Sequence, residues 1–493
     1  MSDHRSKCFG FLSRNALIIS VLIGVVVGFA FGFGLRSVEP SSDALTWIGL
    51  PGEIFMRLLK MLILPLIVAS IITGTASMNA RTNGRLGAVS FCYILVTVAI
   101  GAVIAIILFL VFQPGKDVDL SASTNSFTVK RNIETTDMFA DMIRNFFPDN
   151  VVTACFQKTQ TKYLQVSRTV ALNGTNITIT EVQKVLSSTS GLNILGLIVA
   201  CLMFGVTASN LEDRAEPFIT FFDTIAVILI RLLNWIIWLT PVGVASLITT
   251  ALLKVSDIES VFTSMGMFVL AHSVGIAFHQ LVLIPLAYFI TTRKNPLHFM
   301  GYCLRPCLSV FGPASVAVGL PDMLKTLDEN LHVDRRISNF FVPVAVSIEK
   351  CGSCIFICLS ALFLAQLEGM NMNASRVVII GLLSTAGALA VPPVPSSSIV
   401  SVLVVLSSID IQVHNVGLLM ALEWYNDRIR TTSNATTTVL GAVMVERLCK
   451  TSLNSEQELD SYKKTQERPP YDSEIRVLMN KDNFEGLYVY ANV

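Results

Sequence analysis

Long apolar runs constrain this chain most. They cover residues 16–35, 54–77, 88–112, 192–206, 225–248, 265–290, 355–365 and 377–406. As a helix, each of the longer runs spans about 30 Å of hydrocarbon. The composition agrees: 52% of the 493 residues are hydrophobic and only 14% are charged. The expected class is therefore an all-α polytopic membrane protein. Lys and Arg (36) nearly balance Asp and Glu (35). There is no basic patch and no phosphate-binding loop, so nucleic acid is not an expected partner. No small-residue cleavage site follows the first run, which reads as a retained span rather than a signal peptide.

Basic residues set the expected orientation. Arg5, Lys7 and Arg14 precede the first run, and Arg81 and Arg85 follow the second. Arg293 and Lys294 follow the run at 265–290, and Arg447 and Lys450 follow the last hydrophobic segment. The positive-inside rule places all of these, and both termini, in the cytoplasm of a multi-pass protein. The polar stretch 116–190 is then an extracellular loop region. It carries the sequons at Asn173 and Asn176, the expected glycosylation sites, and Asn373 is a third sequon on that side. Residues 1–15 and 449–493 read as cytoplasmic tails, the second polar, Pro-containing and disordered in character. The ten cysteines lie mostly in apolar segments, which argues against a disulfide framework. Cys351, Cys354 and Cys358, with Cys303 and Cys307, fit small inert core residues better than a soft-metal site.

One hydrophobic segment contains EWYNDRIRTTSN at 423–434. Asp427, Arg430, Thr431 and Asn434 stand at i, i+3, i+4 and i+7, on one helix face. Ionisable residues at bilayer depth face protein or water and mark functional sites. A carboxylate can hold an ammonium, and a guanidinium fork can hold a carboxylate. The stripe suits a zwitterion, above all an amino acid with a second carboxylate. The competing reading is that Asp427 and Arg430 pair only to join two helices. Two further segments, 299–321 and 385–408, carry small residues and prolines in mid-run. Proline breaks the helical ladder, and broken backbone at membrane depth must be covered by protein or line a cavity. Paired interruptions of this kind point to a binding site.

These motifs resemble the excitatory amino-acid transporter family, the sodium-dependent glutamate/aspartate carriers and their neutral amino-acid relatives. The resemblance runs over about 16–448. It rests on PGEIFMRLLKMLILPLIVASIITG (51–74), IRNFFPDN (143–150), GLNILGLIVACLMFGV (191–206), LTPVG (239–243), TRKNP (292–296) and DRIRTTSN (427–434). It implies eight transmembrane helices plus two re-entrant hairpins in an elevator-type fold. Scaffold helices 1, 2, 4 and 5 would fall within about 16–80 and 135–250. The transport domain would occupy about 88–113 and 262–448, with hairpin tips near 312–317 and 391–396. It further implies a plasma-membrane homotrimer in contact with membrane lipid. It also implies transported sodium, an anion conductance that involves chloride, no bound cofactor and no enzymatic activity. Asp427 would hold the substrate amino group, Arg430 with Thr431 the side-chain carboxylate, and Asn434 the α-carboxylate. Ser315 is the one hydroxyl left at the first hairpin tip.

The chain departs from the family pattern at the cation sites. The expected Asn-Met-Asp-Gly-Thr is Glu349, Lys350, Cys351, Gly352 and Ser353 here. Cys351 and Thr438 replace carboxylates, and a glutamate associated with proton carriage aligns with Ile357. Tyr93, Thr97, Ser347, Ser353 and Asn434 remain as sodium-site remnants. A thiol poorly replaces the oxygen ligands that hard cations prefer. The second tip, 391–396, is proline-rich, which stiffens an outer gate. Lys350 either replaces a sodium charge or pairs with a carboxylate and has no transport role. Two functions therefore stand open. One is a symporter for acidic amino acids with weakened sodium coupling. The other is a transport-deficient, amino-acid-gated anion channel or sensor, with a neutral amino-acid carrier as a further alternative.

Overall fold

A computed structural model describes residues 16–76, 84–116, 135–172, 175–254, 258–370, 372–409, 411 and 416–466. Asn173, the N-terminal basic cluster, Arg81 and residues 467–493 lie outside them. Residues Met1–Cys449 form one compact unit and Lys450–Val493 a second. The described residues are mostly helical. Six helical stretches are long and apolar enough to cross a membrane, and four shorter apolar helices accompany them.

The chain begins with α1 (Ala16–Arg36), α2 (Ser42–Ala76) and α3 (Gly84–Phe112). Two shorter helices follow, α4 (Thr135–Phe146) and α5 (Val151–Ala154). The expected loop region 116–190 holds more order than its polarity suggests. Strands β1 (Gln157–Leu172) and β2 (Thr175–Ser190) pair antiparallel, from Gln157 opposite Ser190 to Leu172 opposite Thr175. Their Thr and Val content suits a two-sided ribbon, and Asn176 lies on β2 opposite Ala171.

Next come α6 (Ile194–Asn210), α7 (Glu216–Ile237) and α8 (Thr240–Lys254). Helix α9 (Ile258–Phe278) passes through a π-helical turn (His279–Leu283) into α10 (Ile284–Thr292). Helices α1, α2, α6, α7 and α8 pack as one group. The approach is close where small residues allow it: a Cβ at Gly28 would stand 2.9 Å from the Ala245 carbonyl oxygen.

The remaining elements build the site. The first interrupted segment forms α11 (Pro296–Phe311) and α12 (Leu320–Glu329). The second forms α15 (Ala374–Leu389) and α16 (Ser397–Ser408). The interruptions fall at Pro313 and at the Pro392–Pro395 cluster, while Pro306 stays inside α11. Ala314 and Ser396 take left-handed backbone at φ 52° and 57°. Between these pairs, α13 (Arg335–Ile348) and α14 (Cys351–Leu367) are one apolar stretch broken at Glu349 and Lys350. The last helix, α17, covers Val416–Gln466. Helix α14 is buried over nearly its whole length and packs on α3, α9, α15 and α16.

The α12–α13 turn is pinned by charge. Arg335 donates two hydrogen bonds to Asp328, at 2.9 and 2.7 Å. Asp334 caps α13, and its own N–H donates to Glu446 on α17 at 2.9 Å. Hydrogen bonds from Arg336 hold the Asp334 carboxyl below its ordinary range.

Candidate functional site

The site gathers where the two interruptions meet α17 and the broken helix α13–α14. Asp427, Arg430, Thr431 and Asn434 share one buried face of α17. That face closes on the start of α14, where only glycine fits. A Cβ at Gly352 would stand 2.5 Å from the Arg430 carbonyl oxygen. Asn434 accepts the Ser353 N–H at 3.2 Å and donates to the Ser353 hydroxyl at 3.0 Å. The predicted stripe and the Ser353 remnant are thus brought together.

Arg430 is 1% exposed and fully engaged. Its two terminal nitrogens meet the Glu423 carboxylate at 3.1 and 2.6 Å, and one of them meets Asp427 at 2.7 Å. The Phe356 ring lies 4.3 Å from its guanidinium carbon. Glu423 and Phe356 are site residues that the stripe alone does not reveal. Glu423 stands at i−4 from Asp427 and i−7 from Arg430, so helical spacing already placed it on the face. Charge arithmetic explains the pairing: a buried guanidinium needs a carboxylate at hand.

Both interruptions reach this face. The Ser396 N–H donates to Asp427 Oδ2 at 2.8 Å. Ser315 donates its hydroxyl to the Pro393 carbonyl at 2.6 Å, which joins the two tips directly. Between them lies a cavity of about 10 Å³, room for one water. Its wall includes Val391, Pro392, Pro393 and Val394 from one tip, and Ala314 and Val316 from the other. Lys350, Ser353, Asp427, Arg430, Thr431 and Asn434, with Ser397 and Ser398 at the start of α16, close the rest. Admitting an amino acid requires the tips to part.

The expected cation-site residues divide. Tyr93 donates to the Thr437 carbonyl at 2.7 Å and sits on the Cys351 side of the site. Cys351 meets His279 Nε2 at 3.2 Å, and His279 Nδ1 meets the Ser433 hydroxyl at 2.8 Å. The π turn aims His279 at α14 and α17, a common use of such bulges. Thr438 donates to the Asn434 carbonyl at 3.0 Å. Thr97 bonds carbonyls of its own helix. Ser347 stands apart: it is exposed and donates to Pro343 on its own helix.

The unusual charges also separate. Glu349 accepts the Cys351 N–H at 3.0 Å, while its second carboxylate oxygen has no hydrogen-bond partner among the described residues. The Lys350 ammonium donates to the backbone carbonyls of Val346 and Glu349 rather than to the Glu349 carboxylate. The partner that neutralises Arg430 is Glu423, with Asp427, and not Glu349. Among the described residues no group of three His, Cys, Asp or Glu side chains is placed to hold a metal ion. Asn373 uses its amide oxygen to cap α15, accepting the Arg376 N–H at 3.0 Å.

Known proteins are similar along nearly the whole chain. The model of the sodium:dicarboxylate symporter family matches residues 17–448. An excitatory amino acid transporter of Caenorhabditis elegans is 34% identical over 456 residues, 91% of this chain and 90% of that protein. Human neutral amino acid transporter A is 34% identical over 465 residues, 93% of this chain and 86% of that protein. Human excitatory amino acid transporter 2 is 33% identical over 464 residues, 90% of this chain and 81% of that protein. These relatives are transporters and not enzymes. With its apolar helices, its paired broken segments and this match, the chain is a multi-pass membrane protein that belongs to the sodium:dicarboxylate symporter family.

Proposed function

We propose that this protein carries acidic amino acids, glutamate or aspartate, across the plasma membrane with weakened sodium coupling. One observation carries the reading. The cavity between the tips is faced by two cations, Lys350 and Arg430, and one carboxylate, Asp427. An acidic amino acid offers the complement, two carboxylates and one ammonium. Asp427 holds the ammonium, Arg430 with Thr431 the side-chain carboxylate, and Asn434 the α-carboxylate. Glu423 occupies the Arg430 fork until the substrate carboxylate takes it over, so the guanidinium is never left unpaired.

The wider arrangement follows the family. The interrupted segments act as re-entrant hairpins, the second as outer gate. Helices α3 and α9 to α17 move as the transport domain against a trimeric scaffold of α1, α2 and α4 to α8. Both termini are cytoplasmic, and Asn173 and Asn176 carry the glycans. The separate packing of α1, α2, α6, α7 and α8 supports that division.

A second reading has its own support. The outer tip is built from Pro392, Pro393 and Pro395, and it is bonded to both Asp427 and Ser315. A gate this constrained favours a substrate-gated anion channel or sensor that moves little amino acid. Radiolabelled uptake into proteoliposomes, with current recorded in parallel, separates the two. Uptake of aspartate supports the carrier. Current evoked by aspartate without uptake supports the channel.

A further inference from the structure

We propose that the Lys350 ammonium is a tethered cation that takes the place of a co-transported ion, so that substrate binds without sodium. The inference rests on the acidic-substrate reading above and states how that site balances its charge.

The break between α13 and α14 sets the geometry. Glu349 and Lys350 leave helical backbone, at ψ 114° and 43°. The last turn of a helix exposes carbonyls without helical partners, at the negative end of its dipole. Broken helix ends in transporters hold their coupling cations with such carbonyls. Here the Lys350 ammonium takes them. It donates to the Val346 carbonyl and, at 3.3 Å, to the Glu349 carbonyl. Lys350 is 1% exposed, and among the described residues its ammonium hydrogen-bonds only these carbonyls, while the buried Glu349 carboxylate attracts it electrostatically. The same side chain lines the cavity with Asp427, Arg430 and Asn434. A positive charge is thus built in beside the substrate position and held by oxygen dipoles, as a bound ion would be.

The surrounding donors are mostly neutral, and the one carboxylate among them, Glu349, is already balanced by the Lys350 charge. Cys351 presents a thiol that already meets His279, and Thr438 presents a neutral hydroxyl. The Tyr93 hydroxyl is donated to the Thr437 carbonyl. Hard cations favour oxygen ligands, charged ones above all. A sodium ion brought within about 4 Å of the ammonium would bind roughly a thousandfold more weakly.

The test uses the full chain in proteoliposomes and radiolabelled aspartate binding in sodium, potassium or choline chloride. Wild-type affinity is expected to agree within about twofold across the three salts. Lys350→Ala is expected to lose at least about tenfold in choline and to recover when methylammonium, a free counterpart of the missing group, is supplied. Lys350→Arg keeps the charge and should bind in choline like wild type. Wild-type binding that needs sodium overturns the inference alone. So does Lys350→Ala that binds in choline like wild type. Absence of aspartate binding in every salt overturns the substrate reading and this inference together. The comparison of salts on the wild-type protein stands even where a variant fails to fold.

Discussion

Arg430 closes a two-pronged bond with Glu423, seven residues earlier on the same helix, at 2.6 and 3.1 Å. The pair is 1% and 3% exposed, and Arg430 lines the cavity between the tips. The guanidinium is therefore occupied by a carboxylate of the protein before any ligand arrives. On the proposed reading, binding of an acidic substrate is an exchange of carboxylates, not the filling of an unpaired charge. Such an exchange keeps affinity moderate, because the displaced Glu423 carboxylate is itself buried and gives up its partner.

Glu423→Gln tests the exchange. Removing the competing carboxylate should tighten aspartate binding by roughly tenfold, about 1.4 kcal/mol. The ligand-free protein should melt at a lower temperature, because Arg430 then keeps only Asp427. Binding isotherms and a thermal unfolding series on the same preparation check both halves. Weaker aspartate binding at unchanged melting temperature would make Glu423 a substrate contact rather than a competitor.

Ser315→Ala removes the hydroxyl that links the two tips through the Pro393 carbonyl. A hydrogen bond of this kind contributes about 1 kcal/mol, so the closed-to-open equilibrium constant should fall roughly fivefold and the minor open population rise by about that factor. A cysteine placed at Val394 should then react faster with a water-soluble maleimide, and added aspartate should slow it again. An unchanged rate would show that the Ser396 bond to Asp427 alone holds the tip.

The polar stripe was legible in the sequence because helical spacing is rigid. Once α17 is a helix, Asp427, Arg430, Thr431 and Asn434 must share a face, and Glu423 must share it too. Glu423 read as a flank because it opens the motif. The tips were legible because small residues and prolines cluster there, at 312–314 and 391–396, whereas the lone Pro306 and Pro343 stay inside helices. The partner of Lys350 was not legible: it depends on the backbone angles of Glu349 and Lys350, which no residue pattern specifies. The β1–β2 ribbon was hidden by its polarity. Its signal was Asn173-Gly174 between two Thr- and Val-bearing runs, a common hairpin turn.

That ribbon also reaches the second interrupted segment. Lys158 on β1 donates to the carbonyls of Ser408 at 2.6 Å and Ser407 at 3.2 Å, at the end of α16. A cation suits a helix C-terminus. Lys158→Met should cost about 1–2 kcal/mol and expose the end of α16 to faster amide hydrogen exchange. Exchange as slow as in the wild type would mean that the ribbon does not restrain the segment.

Glycosylation reports the orientation. Asn176 lies on β2 near the end of the ribbon, and Asn173 precedes it by three residues in sequence. Replacing both with Gln should abolish the shift in gel mobility that glycosidase produces in the wild type. A shift that survives the double replacement would move the glycan elsewhere, with Asn373 the next site to change.

The central claim is that Arg430 selects an acidic substrate, and Arg430→Cys tests it most directly. A site built around a guanidinium discriminates strongly against ligands that leave it unpaired, and its loss should reverse the preference. Uptake or binding of aspartate and of serine should be measured side by side on wild type and variant. The account predicts that wild type prefers aspartate and that the variant loses at least a hundredfold in aspartate affinity, about 2.7 kcal/mol, while serine binding rises. A wild type that prefers serine, or a variant that binds aspartate unchanged, would contradict it.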